Sequence, residues 1–255
     1  MRAVTFEVSA DAYDRFMGRY SVQLAPQLAE FAGVRGGQRV LDVGSGPGAL
    51  TSELVRRVGA EAVTAVDPSA PFVAAAQARH PAVEVLRASA DDLPFDDGAF
   101  DAALAQLVVH FMADPVAGLR EMARVTRPGG VVAVCVWDHA GGRSPLAAFW
   151  QAAHELDPPV EDESDLPGAR EGHLGELLAE AGPNAIEETT LEASIEFSSF
   201  EDWWEPFTLG VGPAGAYAKA LDDANRSRLR DRCRQLLADP PFTVSTTAWA
   251  ARAVV

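Results

Sequence analysis

The chain has 255 residues, 48% of them hydrophobic, with a formal net charge of −16 and two cysteines. That length and apolar content suffice to bury the core of one α/β domain with an elaboration. The acidity, with no basic run anywhere, excludes nucleic acid or an anionic membrane as the expected partner, because affinity for phosphates comes mainly from Lys and Arg, and two cysteines make no disulfide framework.

In chain order, the first forty residues precede the sheet. Ser9 to Tyr20 mixes aromatic and charged side chains, and Ser21 to Phe31 reads as a helix with Val22, Leu24, Leu28 and Phe31 inward. Gly33, Gly36 and Gly37 end it. Apolar runs at 39–43, 62–66, 82–87, 101–106 and 131–136 then alternate with helical stretches at 48–58, 70–79, 115–124 and 145–156. That alternation is the pattern of a parallel sheet covered on both faces. Pro158 to Asp165 reads as an acidic exposed loop and Gly172 to Ala181 as a further helix. Ile186 to Phe197 and Phe242 to Val255 alternate like strands, with helical material from Phe200 to Leu237 between them. No N-terminal basic-plus-apolar signal and no bilayer-spanning apolar run is present, so a cytoplasmic location is expected.

The densest information lies in Val40-Leu41-Asp42-Val43-Gly44-Ser45-Gly46-Pro47-Gly48, a short strand running into a glycine-rich turn and then a helix. Glycines are needed where backbone must close on a ligand or adopt unusual φ/ψ. An acid inside the strand, Asp42, is costly to bury without a cation or donors. A ligand with an α-ammonium group would supply the cation, whereas a pyrophosphate would be repelled. Asp67 ends the next apolar run, placed to accept hydrogen bonds from both hydroxyls of a ribose. The glycine turn alone also satisfies the looser dinucleotide fingerprint, so an NAD(P)-dependent oxidoreductase remains an alternative.

The segment from about Arg39 to Val136 resembles the core of class I S-adenosylmethionine-dependent methyltransferases. Val40 to Gly48 is similar to the cofactor loop and Asp67 to the ribose-binding acid, while Arg87 to Phe95 resembles the motif that contacts the adenine. Phe100 to Gln106 resembles the strand ending beside the transferred methyl, and Glu121 to Gly130 the helix and turn before the fifth strand. The resemblance implies S-adenosyl-L-methionine as cofactor. Asp42 would hold its ammonium side, Gly44, Ser45, Gly46 and Gly48 its backbone, and Asp67 with Pro68 the ribose. Ser89, Ala90 and Asp91 would meet the adenine, and Gln106 the methyl end. Ser89 stands where many relatives carry an aspartate, leaving Ser89 or Asp91 as the contact to the adenine amino group. Tyr13 to Ser21 resembles the N-terminal lid of some small-molecule methyltransferases, which implies that Tyr13, Arg19 and Ser21 approach the cofactor's carboxylate end.

The expected fold is α/β: a doubly wound, mostly parallel seven-stranded sheet with an antiparallel C-terminal hairpin and a helical cap insertion. Residues 1–38 would form N-terminal lid helices, 39–199 the core, 200–238 the cap and 239–255 the final strand. The expected activity is methyl transfer to a small molecule, with a non-catalytic S-adenosylmethionine-binding protein as a second alternative; acceptor atom and oligomeric state stay open. His110 and His139 are the candidate general bases, since an unperturbed imidazole titrates near neutrality. One of Trp203 and Trp204 would sit in the cap's core and the other would be available to a substrate pocket, since adjacent helical positions face different ways. No Cys or His spacing suits a metal, and Gly44-Ser45-Gly46 lacks the spacing of a nucleophile elbow.

Overall fold

The computed structural model describes residues 9–157 and 159–255. Met1 to Val8, within the expected lid, and Pro158, at the start of the expected acidic loop, lie outside the described residues.

The strands are β1 Val40–Val43, β2 Val63–Asp67, β3 Glu84–Arg87, β4 Phe100–Gln106, β5 Thr126–Trp137, β6 Asn184–Phe197 and β7 Phe242–Val254. They form one sheet in the order β3-β2-β1-β4-β5-β7-β6. The first five are parallel, and β7 lies antiparallel between β5 and β6. Successive side chains of a strand point to opposite faces, and the pattern is plain here. Val40, Leu104, Ala133 and Cys135 join one apolar cluster, while their neighbours Leu41, Ala105, Val132 and Val134 join the other. Burial on both faces explains why these strands read as near-continuous apolar runs.

The helices are α1 Ala10–Tyr13, α2 Arg19–Phe31, α3 Ala49–Val58, α4 Ala70–Arg79, α5 Pro115–Val125, α6 Ala147–Leu156, α7 His173–Ala181, α8 Phe200–Trp204, α9 Gly212–Ala220 and α10 Asp223–Leu236. Their starts follow local chemistry. Asp114 caps α5 by accepting from Ala117 N–H at 2.9 Å, with Pro115 at the first helical position. Ser199 caps α8 by accepting from Asp202 N–H at 3.1 Å. A π-helical turn, Asp14–Gly18, joins α1 to α2, so the chain is helical from Ala10 to Phe31. Such turns are frequent at functional sites.

Two expectations change. Val22 does not face inward; it is 58% exposed, whereas Tyr20, Ser21, Leu24, Ala25 and Leu28 are buried. At about 100° per residue, Val22 and Leu24 stand on nearly opposite sides of one helix. The fifth strand begins at Thr126 rather than 131, because Thr126 already pairs with Phe100 before the register shifts.

Helices α8, α9 and α10 lie between β6 and β7 in sequence, and α10 packs on α6. Phe207, in the 3-10 turn after α8, stacks on Phe149 of α6 at 4.6 Å between ring centroids and meets Phe16 of the π turn at 4.9 Å. The N-terminal helix and this insertion therefore share one aromatic contact over the carboxyl end of the sheet.

Candidate active site

The site begins at the switch point of the sheet, where β1 lies between β2 and β4 and crossover connections leave in opposite directions. The turn after β1 is stitched to the end of β2. Gly44 and Ser45 N–H groups donate to the Val66 carbonyl at 2.8 and 3.0 Å, and Gly46 N–H donates to Asp67 Oδ2 at 2.8 Å. Gly44 has φ +71°, and a Cβ there would lie 2.5 Å from Val108 Cγ2, so only glycine fits. The other oxygen of Asp67, Oδ1, accepts from Ser69 N–H at 2.8 Å. Each carboxylate oxygen keeps a free lone pair for a ligand donor. Burial raises the Asp67 pKa, and the Ser69 and Gly46 N–H groups hold it back.

A cavity of about 410 Å³ opens in front of this turn. Of the residues proposed from sequence, Gly44, Gly46, Asp67 and Pro68 line its one side and Ser89, Ala90 and Gln106 the strand ends beside it, with Tyr13 over it. His110 and His139 also line it.

Other sequence-based assignments do not reach it. Asp42 is only 1% exposed and lies behind the turn, accepting from Thr51 Oγ1 at 2.6 Å. Burial pushes its carboxyl up to about 7, with the Thr51 bond opposing. Its other oxygen, Oδ1, is buried with no hydrogen-bond partner among the described residues. Ser45 is buried in the turn, and Gly48 supplies the left-handed residue, φ +99°, that starts α3. Arg19 pairs instead with Asp202 at 3.3 Å and lies over the Phe197 ring at 4.9 Å. The arginine that touches the glycine turn is Arg79, donating to Pro47 O at 2.8 Å and pairing with Asp14 at 2.6 Å. Ser21 is turned inward, its hydroxyl donating to Met17 O and its carbonyl accepting from Gln106 Nε2 at 3.1 Å. Asp91 is exposed, outside the cavity wall, and its carboxylate accepts from the Ser89 hydroxyl.

The inner end of the cavity holds most of its unpaired polarity. Leu107, straight after β4, has φ +61°, a conformation costing a non-glycine residue about 1–3 kcal/mol. Leu107 N–H donates to Cys135 O at 2.9 Å, which anchors this turn. The following 3-10 turn carries His110 inward. His139 follows β5, and its loop is tied down by Asp138, which accepts from Arg143 Nε at 2.5 Å, Gly141 N–H at 2.9 Å and Trp249 Nε1 at 3.0 Å. The two imidazoles lie 5.9 Å apart between centroids. Burial lowers both: His110 well below the usual histidine range, with His139 adding to the effect, and His139 to about 4. Nδ1 of His110, both ring nitrogens of His139, Oε1 of Gln106 and Oε2 of Glu163 are buried with no hydrogen-bond partner among the described residues. Glu163 belongs to the stretch expected to be an exposed acidic loop, yet it is 2% exposed and lines the cavity. Burial pushes its carboxyl up to about 8, the nearby Trp150 indole opposing. No sequence signal marked it, since one acid among several in a loop has no periodicity to reveal its direction.

Apolar walls close the cavity from both flanking segments: Phe16 and Met17 from the π turn, Val211, Pro213 and Ala214 from the start of α9. Trp203 and Trp204 are both buried in the aromatic cluster around Phe207, and neither lines the cavity. Both meet Phe200 and Phe207, and Trp204 also stacks on Phe149 of α6. His154 pairs with Asp162 at 2.8 Å, and His173 Nδ1 accepts from Gly168 N–H at 3.2 Å. Among the described residues no cluster of His, Cys, Asp and Glu could hold a metal, and no helix is long and apolar enough to cross a membrane.

This geometry suits an adenosine-like ligand: a carboxylate with free lone pairs at the end of β2, a glycine turn without side chains in the way, and an unpaired amide oxygen on Gln106. The methyltransferase domain family model matches residues 41–134. The chain is 35% identical over 176 residues to a malonyl-[acyl-carrier protein] O-methyltransferase of Erwinia billingiae, covering 69% of this chain and 67% of that protein. It is 29% identical over 255 residues to an uncharacterized methyltransferase of Mycobacterium tuberculosis, covering 97% and 91%. Among solved structures, the fold matches geranyl diphosphate C-methyltransferase from Streptomyces coelicolor, in complex with Mg2+, geranyl diphosphate and S-adenosyl-L-homocysteine. That match has a TM-score of 0.53 and 17% identity over 91% of this chain and 78% of that one. These matches decide against a dinucleotide oxidoreductase. The chain belongs to the class I S-adenosylmethionine-dependent methyltransferases, and S-adenosylmethionine is its cofactor.

Proposed function

We propose that the protein methylates a small, largely apolar molecule held in the inner part of the cavity, and that it acts in the cytoplasm. The observation that carries this reading is the cavity itself: about 410 Å³, walled by Phe16, Met17, Val211 and Pro213, with unpaired polar atoms gathered at its inner end. A pocket of that size and lining suits a small ligand fixed by few polar contacts. The net charge of −16 disfavours nucleic acid.

The bound cofactor supplies an electrophilic methyl group on a sulfonium. The chain's own task is then to align the acceptor and exclude water. Asp67 and Pro68 would hold the ribose, Gly44 and Gly46 the turn side, Ser89 and Ala90 the adenine, and Gln106 with Tyr13 the methionine end. His110 and His139, neutral in this setting, would accept or donate hydrogen bonds to the acceptor. Residues 10–38 and 200–238 would act as the lid, pinned together through Phe16 and Phe207.

Calorimetry with S-adenosylmethionine, S-adenosylhomocysteine and NAD tests the cofactor residues. Asp67→Ala should weaken both sulfur ligands by about 1–3 kcal/mol, the cost of losing bonds to a charged acceptor. Screening small molecules with isotope-labelled cofactor and mass spectrometry tests the acceptor class. Methylation confined to proteins or nucleic acids would refute the small-molecule reading.

A further inference from the structure

We propose that Glu163 is a catalytic residue of this site, its carboxylate taking the proton of a hydroxyl on an otherwise apolar acceptor as that oxygen receives the methyl group. This rests on the methyl-transfer reading above and deepens it by naming the acceptor class (alcohol, phenol or enol) and the base.

Three observations converge. The loop between α6 and α7 turns one of its acids into the cavity wall, leaving Glu163 2% exposed while Glu161 and Asp165 of the same loop are exposed to water. Its Oε2 and the nearby Trp150 indole N–H are both buried without a hydrogen-bond partner among the described residues, a costly arrangement unless a ligand or a closer approach of the two completes it. Finally, burial acts oppositely on acids and imidazoles. It makes Glu163 a stronger base, up to about 8, while it weakens His139 to about 4 and His110 also falls. A base works best with a pKa near the operating pH, which favours the carboxylate over either histidine.

The balance of the step supports the same choice. The acceptor oxygen bonds to the methyl carbon while the carbon–sulfur bond breaks, its electron pair staying on sulfur. The hydroxyl proton passes to Glu163 Oε2. One cation and one anion become a neutral thioether and a neutral carboxylic acid, so no charge is left in the low-dielectric cavity. A cation held in the same cavity lowers the pKa of a nearby carboxyl. The sulfonium therefore favours the ionised, proton-accepting form of Glu163, and the thioether favours the protonated form. The other titratable groups facing this space are His110 and His139, Asp162 paired with His154 beside the loop, and Asp67, Tyr13 and Arg87 towards the turn.

The test needs no acceptor. Calorimetry on the full chain compares S-adenosylmethionine with S-adenosylhomocysteine from about pH 6 to about pH 9; the two share every titratable group and differ in charge at sulfur. The expected result is that the sulfonium ligand tightens by about ten-fold over that range relative to the thioether. Glu163→Gln should abolish that difference while leaving affinity for the thioether within about two-fold. Infrared difference spectra at neutral pH should show a protonated-carboxyl band with the thioether that is lost with the sulfonium and absent from Glu163→Gln. Equal pH dependence of the two ligands, or a band that ignores the ligand's charge, overturns the proposal. Failure of the wild-type chain to bind either sulfur ligand would instead overturn the methyl-transfer reading itself. With labelled cofactor, acceptors that prove to be amines or carbon nucleophiles rather than hydroxyls also overturn it.

Discussion

The side-chain amide of Gln23 completes the edge of the sheet at Ser194: its Nε2 donates to the Ser194 carbonyl at 2.9 Å and its Oε1 accepts from Ser194 N–H at 3.0 Å. One helical turn later Gln27 does the same for Glu192, at 2.7 and 3.1 Å. Strand β6 is one of the sheet's two outer strands, and an unpaired edge invites pairing with another chain. The two glutamines stand in for the missing strand and anchor α2. The double variant Gln23→Ala/Gln27→Ala is expected to lose about 1–3 kcal/mol in chemical denaturation, the net worth of four hydrogen bonds open to water. Size-exclusion chromatography should show it more prone to associate; an unchanged denaturation midpoint would refute the role.

Gly44 has no room for a side chain, since a Cβ would press on both methyl groups of Val108 in a left-handed backbone conformation. Gly44→Ala should therefore weaken S-adenosylhomocysteine by at least about ten-fold, or about 1.4 kcal/mol, and lower stability as well. Val108→Ala combined with it should recover part of the loss, because it removes the atoms that clash but not the φ penalty. Thermal denaturation and calorimetry together separate the two effects.

The buried histidine sets a sign for acid stability. His139 is held neutral, its pKa lowered by burial to about 4 from 6.5. The unfolded chain takes up that proton below about pH 6.5 while the folded chain resists until about 4, so stability falls as pH drops through this window. His139→Gln should lose up to about 3 kcal/mol less than the wild type between those limits. Asp42 acts from the other side: burial raises it to about 7, so its ionisation penalises the fold increasingly as pH rises from about 4 to 7. The stability of Asp42→Asn relative to wild type should accordingly rise with pH over that span, as urea denaturation at a series of pH values would show.

The N-terminal helix and the insertion between β6 and β7 are joined by Phe16 against Phe207 and by the pairs Arg15–Glu205 at 3.0 Å and Arg19–Asp202 at 3.3 Å. The first ion pair is solvent-exposed and contributes little, the second is half-buried, and the aromatic contact is the main link. Binding S-adenosylhomocysteine should raise amide-exchange protection in residues 13–21 and, through Phe207, in 201–209. Phe16→Ala should abolish the second response while leaving protection of β1 and β4 intact. Protection in both segments that ignores the ligand would refute the lid.

Sequence alone determined the sheet, the glycine turn and Asp67. Burial on both faces writes itself as apolar runs, and a turn that must bring backbone against a ligand demands glycine at Gly44 and Gly46. These signals are local, since each residue's type reports its own environment. Side-chain direction is not local in this sense. Asp42 carries the right charge at the right offset, yet one of its oxygens accepts from Thr51 and the residue is not part of the cavity lining. Arg19 has the chemistry to meet a carboxylate, but Asp202, 183 positions away, claims it, and Arg79 reaches the turn instead. Both tryptophans go to the core because Phe200 and Phe207 meet each of them and Phe149, from another helix, covers Trp204. Glu163 shows the limit most clearly: among the acids of its loop only packing against α6 and the cavity wall selects it, and burial then reverses the order of basicity that residue type alone would assign.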